Sequence, residues 1–227
     1  LTLREDFCGT FAVSCEWAKS DKNRQAIGLD ICPETLAWGT ENNLGKLKSN
    51  VADRVEVLEQ DARSRTVPQV DVLAAQNFSF WCFKTRAEVV NYFKIACKNL
   101  GEKGVMVIDM MGGKECYASD VTDKRTILKG KEGFKYHWEQ AYFNPVTADC
   151  SFFIHFKFGD GSMIRKAFEY HWRFWTVPEV REMLAEAGFS MSKVYWDVAG
   201  EDEDADWQAV DEAPNDDSWL CYVVGIK

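Results

Sequence analysis

Residues 1–30 read LTLREDFCGTFAVSCEWAKSDKNRQAIGLD, and this stretch decides the architecture of the chain. Its first six residues can enter a sheet, and Phe7–Phe11 is predicted to form a tight turn. Ala12–Ser20 is predicted to be a helix, and Arg24–Asp30 a second strand. A strand, a turn, a helix and a strand within this length form a compact parallel crossover, so we expect an α/β fold.

Carboxylates stand at the end of both predicted strands. Glu5 and Asp6 end the first strand, Asp30 ends the second, and Gly9 lies in the turn between the first strand and the helix. In open α/β sheets, ligands bind outside the carboxyl ends of the strands, where an acid can accept hydrogen bonds from ribose hydroxyls. The pattern therefore predicts a nucleoside site with Asp30 on the ribose. The simpler alternative is an acid at a helix N-terminus, where the helix dipole favours it.

Leu3–Thr10 resembles the first motif of class I S-adenosylmethionine (SAM) methyltransferases, which usually reads acid-x-Gly-x-Gly-x-Gly. Glu5 matches the acid of that motif, Cys8-Gly9-Thr10 matches its middle, and Asp30 matches the ribose acid. The resemblance extends over nearly the whole chain. It implies SAM as the cofactor and S-adenosylhomocysteine (SAH) as the product.

The resemblance also assigns roles to individual residues. Glu5 would hold the ammonium of the methionine part and Arg4 its carboxylate, Ile31 would cover one face of the adenine, and Asp61 and the Ala62 amide would bind the adenine edge. The cofactor-binding residues expected in this way are Arg4, Glu5, Phe7, Cys8, Gly9, Asp30, Ile31, Asp61, Ala62 and Asn77.

Simpler interpretations stay open for some of these residues. Arg4 and Glu5 could form an ordinary surface ion pair, and Asp61 could be a solvated loop acid. Asp6 could replace Glu5 if the register of the strand differs by one residue.

Two sets of residues are candidates for the chemistry of the methyl acceptor. Gln76–Phe80 follows the fourth predicted strand, where methyltransferases of amino groups often carry Asn-Pro-Pro-Tyr, and Asn77 matches the Asn that orients the acceptor. His137 and His171 lie on the polar side of alternating strands, and either is a candidate general base. The alternatives are an Asn in a turn and histidines that face solvent.

The order of the predicted elements indicates one domain spanning residues 1–227. We expect a doubly wound, mostly parallel seven-stranded sheet that closes with a C-terminal antiparallel hairpin, the Rossmann-like methyltransferase fold. Alternating aromatic residues between 134 and 175 predict an antiparallel three-strand meander, inserted at about 112–175 on the acceptor side. The N-terminal helices that cover the cofactor in the family are not visible in the sequence.

Composition narrows the classes of protein. Hydrophobic residues make up 46% and charged residues 28% of the 227 residues, and no apolar run approaches the ~20 residues of a membrane span, so we expect a globular protein without membrane contact. The eight cysteines form no Cys-x-x-Cys pair and no zinc-type cluster with histidine. This indicates reduced thiols, a cytoplasmic location and no metal site.

The negative charge is concentrated in one segment. Net charge is −9, and nine of the 36 acidic residues lie between 200 and 217, so the others balance the 27 basic residues. The chain has no basic stripe, which argues against a nucleic-acid substrate. The acidic segment, predicted to be a mobile loop, suits a cationic partner.

The sequence therefore predicts a SAM-dependent methyltransferase that acts on N or O of a small molecule. The nearest alternative acceptor is a basic protein segment. Phe7 and Phe11 replace the usual glycines, which leaves open a non-catalytic subunit with the same fold. An NAD-dependent oxidoreductase would share the crossover, but it should show Gly-x-Gly-x-x-Gly at the first turn, and this chain does not.

Overall fold

The structure is a computed structural model that describes residues 1–127, 133–199 and 204–227. Glu201, Asp202 and Glu203 of the acidic segment lie outside the described residues. The helices in the described part are α1 (Ala12–Ser20), α2 (Pro33–Asn42), α3 (Ser49–Ala52), α4 (Arg86–Asn99) and α5 (Val177–Ala187). The strands are β1 (Thr2–Asp6), β2 (Gln25–Asp30), β3 (Val55–Glu59), β4 (Val70–Ala75), β5 (Leu100–Gly112), β6 (Val121–Ile127), β7 (Phe134–Phe143), β8 (Asp149–Phe158), β9 (Met163–Arg173), β10 (Met191–Asp197), β11 (Trp207–Val210) and β12 (Trp219–Ile226).

The main sheet has the strand order β11-β10-β12-β5-β4-β1-β2-β3. The run from β3 to β5 is parallel, and β12, β10 and β11 are antiparallel to their neighbours. This confirms the doubly wound, mostly parallel α/β fold with its closing hairpin. The opening crossover lies at the centre, because β1 pairs with β2 on one side and β4 on the other.

In the part of the chain that the structure describes, the main sheet has eight strands, so the expected number of seven was wrong by one. The additional strand is β11, which pairs with the outer side of β10. The sequence predicts a loop here because the strand has only four residues and is flanked by acids on both sides. The acidic segment is therefore partly ordered as an edge strand.

The inserted sheet contains four strands in the order β6-β7-β8-β9, so the expected three-strand meander was also incomplete. The missed strand, β6, reads VTDKRTI, and all of its residues are exposed. An edge strand without a buried face gives no apolar alternation from which it could be predicted. The other three strands lie where the aromatic alternation indicated.

Both long helices on the sheet begin as the sequence predicted. Thr85 and Glu88 form a capping box at α4, and Thr176 and Glu179 form one at α5. Each box satisfies backbone N–H groups that the first helical turn leaves free. The two helices pack against each other and against β5, β10 and β12. Among the helices in the described part of the chain, none combines the length and apolarity needed to cross a bilayer.

The aromatic face of the inserted sheet covers the main core. Trp138, Phe152 and Trp172 pack into the same cluster as Trp81 and the apolar residues of α4. Trp81 lies against Trp172 with 5.9 Å between ring centroids. The inserted sheet is thereby fixed above the loops that follow β4 and β5, at the edge where the parallel strands end.

Candidate functional site

The turn after β1 has the positive φ angles that are typical of a glycine-rich loop, although only one of the three residues concerned is glycine. Phe7, Gly9 and Phe11 all have positive φ, at 56°, 54° and 47°. Residues with a Cβ rarely adopt this conformation, and only the surrounding packing can hold them in it. Phe11 is fully buried in a cluster with Cys8 and Cys15, which supplies that packing.

Asp30 is fixed between two turns at the end of β2. One of its oxygens accepts a hydrogen bond from Gly9 N at 2.8 Å, and the other accepts from Cys32 N at 2.9 Å. The carboxylate is half-buried, and each oxygen keeps a second lone pair. It can therefore accept two further hydrogen bonds from a diol, as the prediction for a ribose requires.

A cavity of about 290 Å³ opens beside Asp30 at the carboxyl edge of the sheet. It brings together five of the predicted cofactor-binding residues, Phe7, Asp30, Ile31, Asp61 and Ala62. Ile31 is 70% exposed, which places an apolar side chain at the rim, where it can cover a planar ring. These positions come from three different loops, which the fold brings to one cavity, and their contacts with a cofactor stay a prediction.

Sequence reasoning missed Arg63, which lines the same cavity. Its Nη2 lies 2.7 Å from Asp61 Oδ2, its Nε donates to Oδ1 at 2.9 Å, and its guanidinium lies 5.0 Å from the centroid of the Phe83 ring. The Arg63 hydrogen bonds lower the pKa of Asp61. Asp61 therefore stays charged, and its contact with the adenine amino group stays a prediction. The sequence did contain a signal for this contact, since Arg63 follows Asp61 by only two residues.

Arg4 does not face the cavity, so its assignment to the methionine carboxylate was wrong. The side chain is fully buried, and its Nε donates to Asp6 Oδ1 at 2.7 Å. The remaining guanidinium nitrogens donate to Ala62 O, Ser64 O and Thr66 Oγ1 at 2.7, 3.0 and 3.0 Å. Arg4 therefore ties the loop after β3 to the central strand.

Glu5 has a structural partner at the start of α1. Its Oε2 accepts from Ser14 N at 2.8 Å and from Ser14 Oγ at 2.5 Å. Burial raises the pKa of this carboxyl, and the hydrogen bonds from Ser14 oppose that shift. The contact of Glu5 with a methionine ammonium stays a prediction.

The loop after β4 is held in a strained conformation by an acid that sequence reasoning missed. Asn77 and Phe78 have φ of 59° and 55°, both in the left-handed region. The Asp109 carboxylate on β5 accepts from Asn77 N at 2.7 Å and from Phe78 N at 2.9 Å. Successive N–H groups of this kind form a natural anion cradle, which Asp109 fills. The exposed Asn77 side chain is thereby positioned at the edge of the site, and its role toward an acceptor stays a prediction.

His137 and His171 lie on the wrong face of the inserted sheet for the predicted role. Residues directly opposite one another in an antiparallel pair share a face. Trp138 pairs with Ile154 on the face that packs on the core, whereas His137 pairs with His155 on the other face. His171 shares that outer face, where it contacts Ser151 at 3.0 Å. The prediction that either histidine is a base beside the acceptor is therefore wrong.

Comparisons with known proteins show a likeness in structure only. No protein-family model matches the sequence, and no curated protein matches it. A SAM-dependent methyltransferase from Clostridium acetobutylicum has a TM-score of 0.69 and 15% identity over 99% of this chain and 83% of that chain.

Two further solved structures are similar to the chain to the same degree. CalS10, an amino pentose methyltransferase from Micromonospora echinaspora, has a TM-score of 0.68 and 14% identity over 99% of this chain and 83% of that one. KedS8, a sugar N-methyltransferase from a Streptoalloteichus species, has a TM-score of 0.67 and 14% identity over 100% of this chain and 79% of that one. The chain thus has the fold of class I SAM-dependent methyltransferases.

Proposed function

We propose that the chain is a SAM-dependent methyltransferase that acts on a nitrogen or oxygen atom of a small molecule, with SAH as its product. The observation that carries this proposal is the Asp30 carboxylate, fixed by Gly9 and Cys32 beside a cavity of about 290 Å³. This arrangement suits a nucleoside with a free ribose diol. CalS10 was solved with SAM bound in the same fold, which supports the choice of SAM.

NAD, the other nucleoside cofactor considered, fits the turn after β1 less well than SAM does. A dinucleotide needs a glycine-rich turn that lets the backbone approach a pyrophosphate. Here Phe7 lines the cavity, and Phe11 fills the space beneath the turn. SAM carries a single nucleoside and no pyrophosphate, which favours SAM over NAD at this turn.

The chemistry asks the protein mainly to position groups and exclude water. When bound, SAM supplies a methyl group already activated by a sulfonium. Asp30 and the cavity residues would hold the nucleoside, while Asn77 would orient the acceptor atom. The aromatic face of the inserted sheet would exclude water, since Trp138, Phe152 and Trp172 lie above the loop that carries Asn77.

A small-molecule acceptor is favoured by the inserted sheet, because a cavity lies between it and the main sheet. The names of CalS10 and KedS8 describe methylation of sugars, and both are similar to this chain in fold. A basic protein segment, steered by the acidic segment, is the second candidate acceptor.

We also propose a cytoplasmic location because all eight cysteines are free thiols.

Titration calorimetry with SAM, SAH and NAD tests the proposal. We expect SAM and SAH to bind and NAD to give no heat of binding. Binding of NAD alone would contradict the assignment of the cofactor. Absence of binding by all three nucleosides would instead favour a non-catalytic subunit with this fold.

Replacing Asp30 by alanine is expected to weaken SAM binding about 10- to 150-fold, because it removes charge-assisted hydrogen bonds worth roughly 1.5–3 kcal/mol in total. Calorimetry of the variant gives the dissociation constant directly. Asp53→Ala is the matched control, since Asp53 is exposed at the end of α3 and distant from the cavity lining. Equal affinity of Asp30→Ala and Asp53→Ala would remove Asp30 from the cofactor site.

A further inference from the structure

A second cavity, of about 600 Å³, lies between the inserted sheet and the main sheet. Its walls come from the end of β5, the turn at Lys114–Tyr117, strands β6, β7 and β8, and the residue before β12. Small-molecule sites commonly enclose 300–1,000 Å³, so this cavity is large enough for one. None of the predicted cofactor-binding residues lines it.

One wall of this cavity is flat and aromatic. Trp138 and Phe152 both line it, and their rings stack at 5.1 Å between centroids with 22° between planes. Trp138 is only half-buried, so part of its ring stays accessible. Met111 adds a flexible apolar contact at the end of β5. A flat ring or a saturated ring with one apolar face can stack on this wall.

The rest of the cavity lining is polar and carries more negative than positive charge, and Asp123 lies directly beside Trp138 because the two residues are partners in the pairing of β6 with β7. Among the described residues that line the cavity, Glu115 and Asp123 are acidic and Arg125 is the single cation, and Arg125 pairs with Asp123 at 2.7 Å. Asp217 of the acidic segment lies next to Glu115: its backbone O accepts a hydrogen bond from Glu115 N at 2.9 Å, and its carboxylate pairs with Lys114 at 2.7 Å. Cations are attracted both by this excess of carboxylates and by the face of Trp138.

Gln140 lies two residues after Trp138 on β7 and adds an unused hydrogen-bond acceptor to the cavity lining. Its Oε1 is buried and has no hydrogen-bond partner among the residues that the structure describes. Buried polar atoms are normally satisfied, so an unsatisfied amide beside a cavity points to a missing ligand. Rotation about its last side-chain torsion, which is soft, would present the oxygen to a donor in the cavity.

The second cavity lies close to the loop that carries Asn77. Asp109 holds that loop from β5, and Met111, two residues further along the same strand, lines the cavity. Two residues of a strand span roughly 7 Å, and their side chains point to the same face. A molecule in the second cavity can therefore reach the place where Asn77 would meet an acceptor atom.

We propose that this second cavity is the acceptor site and that it selects a small amine whose ring stacks on Trp138. The proposal rests on the proposed methyltransferase function and adds to it the chemical class of the substrate. The amine binds as its cation between Glu115, Asp123 and the Trp138 ring. It gives up a proton to water before its nitrogen can accept a methyl group. The carboxylates therefore determine the affinity for the amine rather than the rate of methyl transfer.

Binding of three naphthalene probes to the whole chain tests this inference. The probes are 1-naphthylmethylamine, the uncharged 1-naphthylmethanol and the anionic 1-naphthoate, which share the ring and differ in charge. Calorimetry in the presence of SAH is expected to give about tenfold tighter binding for the amine than for the alcohol, and no binding for the anion. Added salt should weaken binding of the amine and leave the alcohol unchanged.

Two variants locate the binding to this cavity. The double variant Glu115→Gln and Asp123→Asn is expected to abolish the preference for the amine, with binding of the alcohol unchanged. Trp138→Leu is expected to weaken both probes. The matched control is Glu169→Gln on the outer face of the same sheet, which should leave both affinities unchanged.

The outcomes separate this inference from the proposed function. SAM affinity, measured for every variant, reports whether the fold and the cofactor site are intact. Equal binding of amine and alcohol, or an amine preference that survives the double variant, would overturn the acceptor class while SAM still binds. Loss of SAM binding in the unmodified chain would overturn the proposed function, whatever the probes do.

Discussion

Replacing Arg4 by methionine is expected to lower the free energy of unfolding by about 3–5 kcal/mol, the usual effect of removing one partner of a buried ion pair. Methionine fills similar space but leaves the Asp6 carboxylate without its cation. It also leaves Ala62 O, Ser64 O and Thr66 Oγ1 without their donor. Urea denaturation of the two proteins measures the difference, provided that the slope of each transition is unchanged.

The loss should depend on pH because of Asp6. Burial raises the pKa of Asp6 from 3.8 to about 6, against the opposing effect of Arg4 and the hydrogen bond from Tyr92. A carboxyl whose pKa is higher in the folded state stabilises the fold below its unfolded pKa, and that contribution is lost as pH rises through the folded value. Removing Arg4 raises the pKa of Asp6 further. The deficit of the variant is therefore smallest in acid and grows as pH rises above about 6.

Arg86→Met is the matched control for this experiment. Arg86 forms an ion pair with Glu186 on the surface, with 2.5 Å between the two charged atoms. Surface pairs contribute little, so we expect almost no change in stability. A loss of stability for Arg4→Met no greater than that of Arg86→Met, at every pH, would contradict the structural role of Arg4.

Features of the site that depend on local sequence were predictable. Asp30 follows an apolar strand and precedes a proline-led helix, so both its place and its neighbours follow from the order of the elements. The capping boxes at Thr85 and Thr176 are likewise set by residues three apart. Each of these signals needs only one turn or one strand end, and no knowledge of distant contacts.

The role of Arg4 could not be predicted in the same way. Residues 3–6 are all buried in the central strand, so the alternation that usually separates an inner from an outer face is absent. Apart from Asp6, the partners of Arg4 lie about sixty residues away, in the loop after β3. Nothing near Arg4 in the sequence indicates that this loop passes beneath it.

The predicted role of His137 and His171 was wrong for a different reason. Both faces of the inserted sheet carry aromatic and polar residues, so alternation identified two faces but not which one meets the main sheet. Packing against Trp81 decides this, and it directs Trp138 inward and His137 outward. Asp123 of the second cavity was not predicted as a site residue, because it lies on β6, the strand without an apolar pattern.

Replacing Asp109 by alanine is expected to lower stability by about 3 kcal/mol, since it removes two charge-assisted hydrogen bonds worth roughly 1.5–3 kcal/mol each, partly compensated by water. Asn77 and Phe78 would lose the carboxylate that holds them at positive φ. Burial raises the pKa of Asp109, and these two N–H groups oppose that shift. Hydrogen exchange of the Asn77 and Phe78 amides should therefore become fast in the variant while the core of β4 stays protected.

Under the proposed function, the same change should reduce methyl transfer more than it reduces SAM affinity, because Asp109 positions the loop that carries Asn77 rather than the residues that line the cavity beside Asp30. A misplacement of about 1 Å can lower a rate by roughly 100-fold, so we expect a fall in kcat of that order with the dissociation constant of SAM nearly unchanged. Methyl-labelled SAM and a pool of small amines provide the assay.

Two further variants make the Asp109 prediction specific. Asp109→Asn keeps one acceptor oxygen and should give intermediate exchange rates and partial activity. Asp71→Ala is the matched control, since Asp71 accepts a hydrogen bond from Thr2 N at 2.7 Å at the opposite end of the sheet. Fast amide exchange at Asn77 with unchanged kcat would show that the loop is strained for stability alone. Slow amide exchange in Asp109→Ala would show that Asn77 and Phe78 keep their left-handed conformation without the Asp109 carboxylate.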